Sequence, residues 1–271
     1  MADPQAGGVS ELLRVRGLTR RYAGLVAVDQ VDLTIAGGET IHAVIGPNGA
    51  GKTTLFNLIS GVVVPSAGTI ALAGRDVTGL SADRRAGLGI ARTFQNIRIF
   101  RAMTVLENVL TGMHTTLHAS LPEVVLRVGR FRGEERRAVA AARRALELVG
   151  LHARADEPAG ALSYGDQRRL EIARAVAPGP RLLLLDEPAA GMNPAETEAL
   201  GALVLRLRDA GMAVLLVEHD MGFVMTISDR VTVLNFGRRI FDGRPEQVKR
   251  EPEVVEAYLG PKLAARLAGQ G

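Results

Sequence analysis

The segment Gly46-Pro47-Asn48-Gly49-Ala50-Gly51-Lys52-Thr53 is a full G-x-x-x-x-G-K-T phosphate-binding loop. It restricts the possible folds sharply, because it works only between a buried strand and the start of a helix. Both flanks are present. Ile41-His42-Ala43-Val44-Ile45 reads as a buried strand, and Thr54-Leu55-Phe56-Asn57-Leu58-Ile59 reads as the first turns of a helix. The glycines allow the chain to curl, so that successive N–H groups point into one concavity. The positive end of the helix dipole adds to the attraction for phosphate. Lys52 is placed to reach β- and γ-phosphates, the Thr53 hydroxyl to ligate Mg²⁺, and Thr54 to continue the cradle into the helix. The chain is therefore expected to bind a nucleoside triphosphate.

Four further segments bear on what the triphosphate does. Arg181-Leu182-Leu183-Leu184-Leu185-Asp186-Glu187-Pro188 is an aliphatic strand ending in two carboxylates, as suits a parallel sheet covered on both faces. Asp186 is placed to hold Mg²⁺, directly or through water, and Glu187 to orient or deprotonate an attacking water. Standing alone, the two acids would equally be a solvated turn. Leu162-Ser163-Tyr164-Gly165-Asp166-Gln167 opens a helix with Ser163 as N-cap and Asp166 in the place of a capping-box acid. Gln95 follows the strand-like run 88–94, and His219 ends the apolar run 214–217. A lone Gln or His at a strand end is more often structural than functional.

Taken together and in this order, GPNGAGKT (46–53), Gln95, LSYGDQ (162–167), LLLLDEP (182–188) and EHD (218–220) resemble the ATPase subunit of an ABC transporter. The likeness spans about residues 12 to 260. Within that family, the stretches 94–100, 107–110, 187–194 and 252–260 look like the LivG branch, which energises bacterial uptake of branched-chain amino acids. The closing Ala257-Tyr258-Leu259-Gly260 is shared with the lipopolysaccharide-export ATPase. That exporter therefore stays open as an alternative, with a soluble, non-transport ABC ATPase behind it. Two positions depart from common patterns: Asp166 stands where the branch usually has Gln, and Asn193 where many ABC ATPases have Asp.

The resemblance implies a P-loop α/β core with an antiparallel β subdomain and an inserted α-helical subdomain, about 96–162. It implies ATP and Mg²⁺ as cofactors, Gln95 at the Mg²⁺ or the water, and His219 in the catalytic set with Lys52 and Glu187. Tyr22 would stack on adenine with Val28 flanking it. Ser163 and Gly165 would cover the γ-phosphate of a second subunit in a head-to-tail dimer, homomeric or with a related ATPase. Transmembrane permease subunits would be direct partners and a periplasmic binding protein an indirect one. The expected location is the cytoplasmic face of the inner membrane, as a peripheral subunit.

Composition adds bounds. The chain of 271 residues is long enough for a substantial core. Its net charge of +4 comes from 33 basic residues, of which only Lys52, Lys249 and Lys262 are lysines. These charges are dispersed, and no basic run interleaved with aromatics points to nucleic acid. Without cysteine there is neither a disulfide nor a thiolate metal site. No apolar run approaches the roughly 20 residues of a membrane span. Residues 1–10 and 261–271 read as tails around one domain, 11–260. Alternating patterns predict strands at 12–20 and 28–35, and a hairpin at 230–235 and 238–242 turning at Phe236-Gly237. Ala138, Ala142, Ala145, Leu146 and Val149 form the apolar face of a helix over 134–150, and a last helix is expected over 246–259. His42, inside the core strand, reads as structural.

Overall fold

The aliphatic strands read from the sequence lie side by side in a single parallel array. In the computed structural model, which describes residues 11–38, 40–95, 97–113 and 130–259, they are β3 (Ile41–Ile45), β6 (Ile90–Arg92), β7 (Leu182–Asp186), β8 (Ala213–Val217) and β9 (Arg230–Asn235). With the antiparallel edge strand β10 (Arg238–Gly243), the order is β10-β9-β3-β8-β7-β6. The expected tails at 1–10 and 261–271, and most of the segment 113–133, lie outside the described residues.

Side chains alternate between two separate cores, as a strand period of two requires. Ile41, Ala43, Ile45, Leu183, Leu185, Val214 and Leu216 face one core. Val44, Leu182, Leu184, Leu215 and Val217 face the other. The register puts Val44, Val217 and Asp186 in one row, so the ends of β3, β8 and β7 share one edge of the sheet. That edge is where ligands collect in open α/β folds.

The second core is closed by a four-stranded antiparallel sheet, β2-β1-β4-β5, formed by β1 (Glu11–Tyr22), β2 (Leu25–Ala36), β4 (Ala67–Leu72) and the short β5 (Arg75–Asp76). Between the two sheets lies α1 (Lys52–Ser60), burying Leu55, Phe56, Leu58 and Ile59. It ends at Gly61, whose φ of 80 is left-handed. The short α2 (Ala82–Gly87), not expected from the sequence, supplies Arg85, which is fully buried. Its guanidinium donates to the carbonyls of Leu58 and Ile59 at 2.6 and 2.8 Å and satisfies orphan acceptors at the end of α1.

The first core is covered by α3 (Val105–Thr111), α4 (Arg130–Leu148) and α5 (Tyr164–Val176), which pack on one another. Thr104 and Glu107 form a complete capping box on α3. Ala138, Ala142, Ala145, Leu146 and Val149 are all buried in this core, as their spacing predicts. On its other flank lie α6 (Pro194–Asp209) and α7 (Met221–Ile227). The single helix expected over 246–259 is instead two, α8 (Pro245–Val248) and α9 (Pro252–Leu259). Pro252 lacks the N–H that a continuous helix would need there. The strand expected over 88–94 is only three residues long, since Gly89 turns with φ 100 just before it.

Candidate functional site

At the shared strand edge, the loop 46–53 is shaped by glycines that no other residue can replace. Gly46 and Gly51 have φ of 150 and 99. A Cβ on Gly46 would lie 2.1 Å from the Leu234 carbonyl oxygen, and one on Gly51 2.4 Å from that of Ala27. The loop is therefore threaded between β9 and β2. Lys52 is buried and donates to the carbonyls of Gly46 and Pro47 at 2.6 and 2.9 Å, so its ammonium lies across the loop. Burial pulls its pKa down, while the nearby Glu187 carboxylate pulls it back. Thr53 is exposed at the start of α1, and Thr54 partly so. Asn48 to Thr54 line a cavity of about 430 Å³ together with Leu25, Val26, Ala27, Glu187 and Phe236. That volume suits a small-molecule ligand.

The carboxylates occupy different settings. Asp186 is nearly buried, and its Oδ2 accepts from Arg92 at 2.8 Å. Arg92 also donates to Asn57 and Ser60, tying Asp186 to α1. Glu187, one residue on, has a left-handed φ of 46, and its N–H is bonded to the Val217 carbonyl at 2.9 Å. Its Oε2 accepts from the Gln95 amide at 3.1 Å and lies 3.9 Å from His219 Nδ1. His219 is well exposed. Its neighbour Glu218 is fully buried and accepts from the N–H groups of Ala189 and His219 at 2.8 and 3.1 Å. Burial raises the pKa of Glu218 and these N–H groups oppose the rise. A Thr53 hydroxyl, an Asp186 carboxylate and a Gln95 amide are hard oxygen donors, the set that Mg²⁺ accepts. Among the described residues no cluster of three or more His, Cys, Asp or Glu could hold a metal by itself.

Elsewhere the structure corrects details. Ser163 caps α5 as expected, accepting from the Asp166 N–H at 3.2 Å. Asp166 does not close the capping box. Its carboxylate turns to Arg154 at 2.8 Å and Arg169 at 3.2 Å, which neutralise it. Ser163 is exposed, but Gly165 is buried, with room for a Cβ only 3.0 Å from the Glu196 carboxylate. Val28 is fully buried in the core, whereas Val26 and Ala27 line the cavity wall. Tyr22 is exposed at the mouth of the β1–β2 hairpin, outside that wall, with the Arg20 guanidinium 4.4 Å above its ring.

The sequence model of the family described as "ABC transporter" matches residues 28–190. The chain belongs to the ABC transporter family. A second model, "Branched-chain amino acid ATP-binding cassette transporter", matches residues 238–260 of this ABC cassette. The cassette is 47% identical, over 92% of its length and 98% of the relative's, to the high-affinity branched-chain amino acid transport ATP-binding protein BraF of Pseudomonas aeruginosa. It is 46% identical, with the same coverage, to LivG of Escherichia coli strain K12, a protein described in the same terms. The lipopolysaccharide export system ATP-binding protein LptB of Acidithiobacillus ferridurans is 36% identical over 94% of this cassette and 99% of its own length. The crystal structure of the ADP conformation of an ABC-transporter cassette superposes with a TM-score of 0.81 at 31% identity, covering 92% of this cassette and 99% of that chain.

Three participants in this cassette were not found by sequence reasoning. Arg92 could have been noticed as a cation ending the strand beside the one that ends in Asp186. Glu218 is the buried acid of the EHD triplet. Arg168 lies a turn beyond Ser163 and is completely buried. Nothing in its sequence neighbourhood, rich in other arginines, sets it apart.

Proposed function

We propose that this ABC ATPase binds ATP with Mg²⁺ on the loop 46–53 and hydrolyses it to drive uptake of branched-chain amino acids through membrane partners. The observation that carries the chemistry is the position of Glu187: in the wall of the phosphate-loop cavity, held by Gln95 and within 3.9 Å of His219. Backbone N–H groups of 46–53 and the Lys52 ammonium bind the phosphates. Thr53, Asp186 and Gln95 would hold Mg²⁺, and the ion would supply neutralisation of phosphate charge. Glu187 takes the proton of the attacking water, and Gln95 and His219 orient it and the γ-phosphate. Exposed Ser163, at the N-terminus of α5, does not line this cavity. It serves the γ-phosphate of a second cassette, head to tail.

The cargo assignment is supported by the relatives' likeness along the whole chain and by the family model over 238–260. Among the described residues no helix is long and apolar enough to cross a membrane, so the transport path belongs to permease subunits. A groove of about 700 Å³ lined by Leu88, Ile90, Phe94 and Phe100 suits a short helix from such a subunit. On this reading the cassette works at the cytoplasmic face of the membrane, with a periplasmic binding protein supplying the cargo from the other side.

The deciding experiment is Glu187→Gln. Hydrolysis should fall by about 10²-fold or more while ATP affinity stays, because only proton transfer is removed. Hydrolysis at the wild-type rate would end the assignment of the base. The cargo is read separately, as leucine-stimulated ATPase in vesicles containing the permease and the binding protein.

A further inference from the structure

The helix that begins at Ser163 and the loop that carries Gln95 meet at a buried ion pair with no part in the chemistry above. Arg168 and Glu171 lie one turn apart on α5, both buried, with Arg168 Nη1 2.8 Å from Glu171 Oε2. The same guanidinium donates to the carbonyl of Phe94 at 2.9 Å and to that of Gln95 at 2.9 Å. Glu171 Oε1 accepts the Phe94 N–H at 3.3 Å. Arg174, one turn further, donates to the Arg98 carbonyl. One face of α5 therefore grips the backbone around Gln95 through main-chain atoms.

A buried ion pair is a poor way to glue a helix to a loop, since well-packed apolar side chains of the same volume often do so better. What a guanidinium adds is direction. Its planar fork fixes two successive carbonyls, and with them the peptide plane between. That peptide leads into the Gln95 side chain, whose amide stands 3.1 Å from Glu187 Oε2. A second contact runs the same way: the Tyr164 hydroxyl donates to the Ala190 carbonyl at 3.0 Å, in the turn after Glu187. At the other end of the arrangement, Ser163 is exposed.

We propose that the Arg168–Glu171 pair is a positioning device that carries engagement of the α5 N-terminus, by nucleotide held on a second subunit, to Gln95 and Glu187 of its own subunit. This rests on the head-to-tail reading above. A helix transmits displacement along its axis, so a shift at Ser163 moves Arg168. The peptide between Phe94 and Gln95 follows because both carbonyls are gripped. Occupancy of one nucleotide site then sets the catalytic carboxylate of the other, and hydrolysis becomes cooperative.

Arg168→Lys tests this, because it keeps the charge and replaces the fork by a point donor. The purified cassette is assayed for affinity with a fluorescent ATP analogue and for hydrolysis across a range of ATP concentrations. The wild type should show a Hill coefficient approaching about 2, the number of coupled sites. Arg168→Lys should keep its affinity within about twofold, lose about tenfold in kcat and fall to a Hill coefficient near 1. Glu171→Gln, which retains an acceptor for the Phe94 N–H, should move the same quantities in the same direction. It carries the comparison if the lysine variant does not fold by circular dichroism. A wild-type Hill coefficient in the variant overturns the proposal, and so does a lowered kcat with cooperativity intact, the mark of a merely structural pair. If the wild type itself hydrolyses ATP without cooperativity, the head-to-tail reading fails and the inference falls with it.

Discussion

His42 offers a test of the core that supports the phosphate loop. It sits in β3, four residues before the loop, and is almost completely buried. Its Nε2 is 2.8 Å from the Thr232 hydroxyl and 4.0 Å from Asp242 Oδ1. Burial lowers its pKa from 6.5 to about 4; the Asp242 carboxylate works against this and the Arg230 guanidinium with it. Between these two values the unfolded chain binds a proton that the folded chain does not. Stability must therefore rise with pH through the window from 4 to 6.5 and be fully present above it. The span corresponds to about 3 kcal/mol, lost progressively as the pH falls through the window. Asp242 contributes at lower pH, because its own pKa is below the usual value. His42→Gln keeps a hydrogen-bonding partner for Thr232 but cannot titrate. Urea unfolding of both proteins between about pH 4.5 and 7.5 isolates the His42 contribution as the difference in slope. The wild type should lose about 2.5 kcal/mol more than the variant across that range. Equal slopes would refute the reasoning. A steeper loss in the variant would mean that Asp242 wins and the imidazole is a buried cation.

Two further outcomes are expected. Tyr22→Ala should weaken ATP and ADP alike by about tenfold, the scale of one aromatic–base stack, with Tyr22→Phe nearly silent in the same titrations. Unchanged affinity would assign the adenine to the Leu25–Ala27 wall instead. Phe100→Asp should leave folding and nucleotide affinity intact, because Phe100 is half exposed and its backbone is held by Asn108 at 2.8 and 2.9 Å. Copurification with the permease subunits should be lost, and normal assembly would remove this groove from the interface.

Much of the molecule was legible in the sequence, for a physical reason. The buried parallel strands and the phosphate loop are specified locally, by unbroken apolar runs and by glycines whose φ no other residue adopts cheaply. Ser163 was legible because a cap lies next to what it caps. Asp166 was misread because its partner Arg154 lies twelve residues away and outcompetes the local N–H. Arg85, Arg92 and Arg168 were invisible as individuals. In a chain with so many arginines, only the fold distinguishes those that hold carbonyls in the interior from those in water.

The left-handed backbone at Glu187 has a consequence for how this site can drift. Such a φ is disfavoured by about 1 kcal/mol or more for a residue with a side chain, and glycine or asparagine would relieve it. Folding stability and hydrolysis therefore select in opposite directions at this position. A cassette released from the need to turn over ATP would gain stability by losing its base, while the loop 46–53 could still hold nucleotide. Degenerate cassettes of this fold should keep their grip on ATP after they have lost the means to cleave it.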